Sequence, residues 1–192
     1  MSALPLVPIS FSLYLNLAQR LLEPPDVGEI VVIEHLQNHS LGLVHLLTAL
    51  AAMFFGAAVI FSRKGTRKHR WMGRSYVAMM LALNVTALLN YELYGQFGPF
   101  HWMVLASLAT VAVGFLPTWR KEPGWIHRHA YFMAWSYIGL MAAAFAEVAS
   151  RIPGWSFGPS VIISSVIVIV VGVWIMQNTI PHIINTSPAS SD

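Results

Sequence analysis

From residue 41 onward, long apolar runs alternate with short polar links, and the length of each run limits what it can be. Residues 41–62, 71–91, 100–119 and 159–180 each supply about 20 mostly apolar residues, enough to cross a ~30 Å hydrocarbon layer at ~1.5 Å per residue. A fifth run, 130–146, is shorter and is extended by residues 147–150. The links at 63–70, 92–99, 120–128 and 151–158 are short and polar, so successive helices must run antiparallel. The pattern predicts an all-α integral membrane bundle of five spanning helices. Residues 4–22 are apolar enough for a sixth span. However, Pro5 and Pro8 break the start, and Ser12, Asn16, Gln19, Arg20 and Glu23 recur at helical spacing, which favours an amphipathic helix lying on the surface.

Domain organisation follows from the same pattern. Residues 1–40 form the amphipathic helix and an acidic extracytoplasmic cap, 41–182 the transmembrane bundle, and 183–192, rich in Ser, Pro and Ala, a disordered tail. No Lys or Arg precedes the first apolar stretch and no small-residue cleavage site follows it, which argues against a secretory signal.

Composition agrees with the membrane assignment. Of 192 residues 56% are hydrophobic and only 10% charged, too few charges to cover a soluble domain. The formal charge of +3 is unevenly placed. Arg63, Lys64, Arg67, Lys68, Arg70, Arg74, Arg120, Lys121 and Arg128 fall on one side of the membrane, nine of the eleven basic residues. The opposite side holds Glu23, Asp26, Glu29, Glu34, Glu92 and Glu147. We call these the basic and acidic faces. The positive-inside rule places the basic loops and the C-terminus in the cytoplasm, in a cell inner (plasma) membrane. A basic balance spread around loop mouths is a membrane-topology signal, so no nucleic-acid partner is expected; the lipid bilayer is.

Cysteine is absent, which excludes disulfides, thiolate metal sites and cysteine nucleophiles. All three lysines lie in basic-face loops, so none is placed for a buried Schiff base. Phosphate-cradling glycine motifs, a G-x-S-x-G elbow and a helical H-E-x-x-H are also missing. What remains chemically unusual is eight histidines, as many as all acidic residues together.

Buried faces of membrane helices are marked by small and polar residues, because lipid gives helices no hydrophobic reason to associate. On the first span Gly42, His45, Ala49, Ala52 and Gly56 form such a face. On the second it is His69, Gly73, Tyr76, Met80, Asn84, Ala87 and Tyr91. On the fourth it is His129, Met133, Ser136, Leu140, Ala143 and Glu147, with the first and last aligned five turns apart at ~100° per residue. The fifth span is nearly all branched apolar residues around Gly172 and reads as peripheral. His45 and His101 thus stand near the acidic face, and His69 and His129 near the basic face.

The run His69-Arg70-Trp71-Met72-Gly73-Arg74-Ser75-Tyr76, together with His129 to Tyr137 and the stretch through Glu147 to Arg151, is similar to an uncharacterised bacterial multi-pass membrane family known as domain of unknown function 2306. The resemblance spans about residues 41–178 and rests on His45, His69, Arg70, Gly73, His101, His129, Glu147 and Arg151. It implies a helical membrane bundle and no agreed activity. In layout alone, the chain also resembles transmembrane cytochromes of the b561 and ferric-reductase type, where paired histidines on alternate helices hold haem.

Three functional readings stay open on these residues. In the first, haem b is held by His69 with His129, and a second haem by His45 with His101, for transmembrane electron transfer, with Arg70, Arg74 and Arg128 near the propionates. The second reading is a non-haem zinc or iron site of His45, His101 and Glu147, with His35 and His39 as an i, i+4 pair above it. In the third, no cofactor binds; the histidines are interface anchors and Glu147 with Arg151 an ordinary i, i+4 ion pair. Neither the substrate nor a redox partner is legible.

Overall fold

In the computed structural model the described residues are 27–89, 97–121 and 123–185. The expected surface helix at 4–22 and the tail beyond 185 lie outside them. The chain divides into two units, 1–40 and 41–192. The helices are α1 (Val27–Phe61), α2 (Arg67–Leu89), α3 (Pro99–Phe115), the single turn α4 (Pro117–Arg120), α5 (Trp125–Ala149) and α6 (Phe157–Asn185); the described residues contain no strand. Five stretches are long and apolar enough to cross a membrane: Ser40–Phe61, Arg67–Leu89, Phe100–Arg120, Trp125–Ala149 and Phe157–Ile184. All five expected spans are present, so this is a helical membrane protein in contact with the bilayer.

Element ends differ from the apolar pattern in an instructive way. Helix α2 begins at Arg67 and α5 at Trp125, each several residues before its apolar run, because helical hydrogen bonding continues through basic residues whose long side chains reach the interface. His69 and His129 are therefore inside their helices rather than at the mouths. At the other end, α6 carries on to Asn185 with Pro181 in its last turns. The third span passes from α3 to α4 through Leu116, which keeps helical dihedrals, with Pro117 at the first position of the new turn, where its missing N–H costs nothing. Lys121 in the left-handed region (φ 51°) ends it, and Gly124 (φ 75°) starts α5.

Two apolar cores hold the unit of residues 41–192 together. Ala52, Tyr76, Val77, Met80, Val111 and Leu140 join α1, α2, α3 and α5. Ile138, Met176, Ile180 and Ile184 join α5 to α6. Backbones approach most extensively where α5 packs on α6, then where α3 packs on α5 and α2 on α3. Helix α1 reaches its neighbours through side chains: His45 meets Thr86, Ser62 meets His69, and the Tyr137 hydroxyl donates to the Met53 carbonyl. The outer side of α6, with Ile162, Ile163, Val166, Ile167, Val170 and Trp174, is exposed to lipid, as expected of a peripheral span.

Close packing rests on two glycines. A Cβ on Gly172 would stand 2.8 Å from Ile138 Cγ1, and one on Gly56 would run into the Tyr137 ring. Gly172→Ala and Gly56→Ala are expected to destabilise by about 1–3 kcal/mol, the usual range for overpacking. Gly139→Ala, with nothing within 4 Å, is the neutral control. Thermal unfolding in detergent checks the difference.

Candidate functional site

Helices α2 and α5 both start on the basic face and run parallel, and the same register repeats on each. His69 and His129 come first, and Tyr76 and Ser136 follow seven residues later, two turns or about 10 Å deeper. Both rungs are formed. The His69 and His129 ring centres are 6.4 Å apart with planes at 83°. The Tyr76 hydroxyl lies 2.9 Å from Ser136 Oγ, and Ser136 itself donates to the Met133 carbonyl at 2.8 Å, so Tyr76 is the donor and Ser136 the acceptor. Tyr76 is 1% exposed. In sequence Gly73 and Met133 fall between the two rungs; a Cβ on Gly73 would meet Val59 Cγ2 of α1 at 3.7 Å, and the Met133 side chain packs against Gly114 of α3.

Hydrogen-bond partners fix the neutral tautomers. Ser62 donates its hydroxyl proton to the Val59 carbonyl at 2.8 Å, so its oxygen accepts from His69 Nδ1–H at 3.2 Å. The Gly114 carbonyl can only accept, so His129 also carries its proton on Nδ1, at 2.8 Å. Thr86 donates to the Leu83 carbonyl and accepts from His45 Nδ1–H at 2.9 Å. In each of these three the Nε2 lone pair is left for another partner. His101 is the reverse. Its Nδ1 accepts the Gly98 N–H at 3.1 Å, closing the capping interaction at the start of α3, and its proton is on Nε2. The ring also stacks on Phe97, centres 4.8 Å apart.

The acidic face is arranged differently from the expectation. Glu147 was expected to point inward along the face of His129 and Ser136. Its side chain is instead 66% exposed and accepts from Arg151 Nε at 3.2 Å and from Arg151 Nη2. The buried line on α5 runs through Ser136, Ile138, Leu140, Ala142 and Ala146, so it turns away from Glu147 in the last turns. Among the described residues no three histidine or carboxylate groups converge in a set able to hold a metal, and His45, His101 and Glu147 are not gathered into one. His35 and His39 are not among the residues with described side chains.

Near the basic face, Arg70 and Arg74 are exposed on α2 and Arg128 Nη2 donates to the Pro123 carbonyl at 3.4 Å. A cation that the sequence did not single out for this site bears on both imidazoles. Lys64 folds back on the end of α1 and donates to the carbonyls of Val59 at 3.0 Å and Ile60 at 2.5 Å. Its charge acts on both His69 and His129. Ser62, Thr86 and the Gly114 carbonyl were likewise missed. The only sequence signal for the two hydroxyls is a Ser or Thr near the interior face of a neighbouring helix.

Residues 42–184 match a family model described as "Predicted membrane protein (DUF2306)". No curated protein and no solved structure matches the chain.

The direction of the Tyr76–Ser136 bond predicts unequal mutational costs. Tyr76→Phe removes a donor whose acceptor is already engaged elsewhere, a loss on the order of 0.6 kcal/mol for an intramembrane hydrogen bond. Ser136→Ala strands the buried Tyr76 hydroxyl, at about 1–3 kcal/mol. Reversible unfolding in mixed micelles measures both.

Proposed function

We propose that this chain, which belongs to the DUF2306 family of predicted membrane proteins, binds one b-type haem between His69 and His129 and serves one-electron transfer at the basic face of the membrane. The observation that carries this reading is the pair itself: two imidazoles 6.4 Å apart, both with Nδ1–H tied down and Nε2 left with its lone pair. Two imidazoles bonded to opposite sides of one metal ion at about 2.0 Å hold their ring centres just over about 6 Å apart. The 83° between the planes is no obstacle, since coordination through Nε2 on opposite sides of one ion does not require parallel rings. A histidine ligand is oriented by a hydrogen bond from its other nitrogen, which Ser62 and Gly114 supply here.

Ligand number favours haem over bare zinc or iron. A bare ion needs three or four protein ligands, and among the described residues no such set exists. Haem brings four ring nitrogens and asks the protein for two axial ones. Gly73 keeps the α1-facing side of α2 free of a side chain, and Met133 is flexible enough to make way for a flat macrocycle. The Tyr76–Ser136 rung stands below them as a floor.

The acidic-face pair does not support a second haem as well. His101 accepts at Nδ1 and so carries its proton on Nε2, the tautomer opposite to that of a ligand bound through Nε2. A single centre near the basic face therefore fits the histidine tautomers best. We further propose that the basic face is cytoplasmic, supported by the nine basic residues gathered there.

Protein purified from cells supplied with haem precursor is expected to show the Soret and α bands of a six-coordinate low-spin haem at one equivalent per chain. His69→Ala and His129→Ala should each remove them, while His101→Ala keeps them. A colourless wild type, or His101→Ala behaving like His69→Ala, overturns the reading. For orientation, a periplasm-active reporter fused at Lys64 or Lys121 should be silent and a cytoplasm-active one bright; the reverse pattern places the basic loops outside.

A further inference from the structure

The histidine pair has a cation built into its frame. Val59 sits in the last turn of α1 and its carbonyl accepts two side-chain protons, from Ser62 Oγ at 2.8 Å and from Lys64 Nζ at 3.0 Å. Ser62 in turn accepts from His69 Nδ1 at 3.2 Å. Three contacts thus link the exposed Lys64 ammonium to the His69 ring. The second Lys64 bond, to Ile60 at 2.5 Å, uses another of its protons, and an ammonium has three. The remaining donor is available to an anion.

The neighbouring charges heighten that demand. Arg63, Arg67 and Lys68 flank Lys64 and no acidic residue lies between Ser62 and Tyr91. Contact with the helix end strips water from the ammonium and pushes it below the usual lysine range, a cost that a bound anion would relieve. Lys64 is the only lysine whose Nζ donates to backbone in the described hydrogen bonds, and Lys68 in the same region shows no such bond there.

We propose that Lys64 is the anion-holding residue of the His69–His129 centre, donating to a carboxylate of the bound group, which in the haem reading above is one propionate. The inference rests on that reading and puts Lys64, linked to His69 through Val59 and Ser62, in place of Arg70 and Arg74 as the propionate partner expected from the sequence. Besides holding the carboxylate, a fixed positive charge beside an axial ligand favours the reduced state of the iron, so Lys64 sets the midpoint potential as well as the affinity.

The test compares haem with its dimethyl ester, which lacks the propionate charges, in apoprotein of wild type, Lys64→Gln, Lys64→Arg and Lys68→Gln. Wild type is expected to bind haem on the order of tenfold more tightly than the ester, the size of one charge-assisted hydrogen bond. Lys64→Gln should lose that preference and show a lower midpoint potential with haem, with its axial-ligand spectrum unchanged; Lys64→Arg should restore both, and Lys68→Gln should match wild type. If Lys64→Gln keeps the preference and the potential, Lys64 contacts a lipid phosphate or only caps α1, and the inference is overturned while the haem reading stands. Failure of wild type to bind either haem or its ester overturns both. Melting temperatures of the haem-free variants separate loss of the helix cap from loss of the carboxylate contact.

Discussion

A polar side chain that enters the hydrocarbon layer must find its partner inside the protein. Water is not available there, and lipid tails provide neither donors nor acceptors. The polar groups on the interior faces of α2 and α5 obey this constraint. Tyr76 uses Ser136, Ser136 the Met133 carbonyl, and Asn84 the Met80 carbonyl. Thr86 is shared between His45 and Leu83, and Gly114 offers its carbonyl to His129. Since apolar contact alone does not drive helices together in lipid, these bonds select which faces meet. The apolar cores of α1, α2, α3, α5 and α6 then fill the space that the polar contacts define.

The same constraint explains the chemistry of the histidines. An imidazole that donates from Nδ1 keeps its Nε2 lone pair for a further partner, whereas His101, which accepts at Nδ1 to cap α3, does not. Four inward histidines therefore fall into different classes although they share a residue type and, in pairs, a depth. Their difference is set by what meets Nδ1: the hydroxyl oxygens of Thr86 and Ser62 and the Gly114 carbonyl accept from it, whereas the Gly98 N–H donates to it.

The spans were legible in the sequence because membrane thickness fixes run length, and the interior faces of α1 and α2 were legible because small and polar residues recur at helical spacing. Ala52, Gly56, Tyr76, Met80 and Asn84 are buried as that spacing implies. Gly42 is exposed, and so is Glu147, where the register on α5 drifts past the expected face. The Glu147–Arg151 pair itself follows from i, i+4 spacing and is formed. The roles of His101, Ser62 and Lys64 were not legible. Each depends on backbone groups near helix ends, and composition and periodicity say nothing of which side chain turns back to meet them. The starts of α2 and α5 were misplaced for a related reason: apolarity marks the membrane, while hydrogen bonding decides the helix, and Arg67 to Arg70 are helical without being apolar.

The two rungs between α2 and α5 also impose an order on synthesis. Tyr76 and Ser136 are 60 residues apart, and His69 and His129 share that separation. At about 5–20 residues per second, the ribosome delivers the second member of each rung several seconds after the first. During that interval the basic mouth of α2 is already in the bilayer with half of its polar contacts unmade, and α3 must reverse through the membrane before α5 can arrive alongside. The two imidazoles are therefore brought together only after the fourth span has been delivered, and they meet only if the first four spans have been threaded in the right direction.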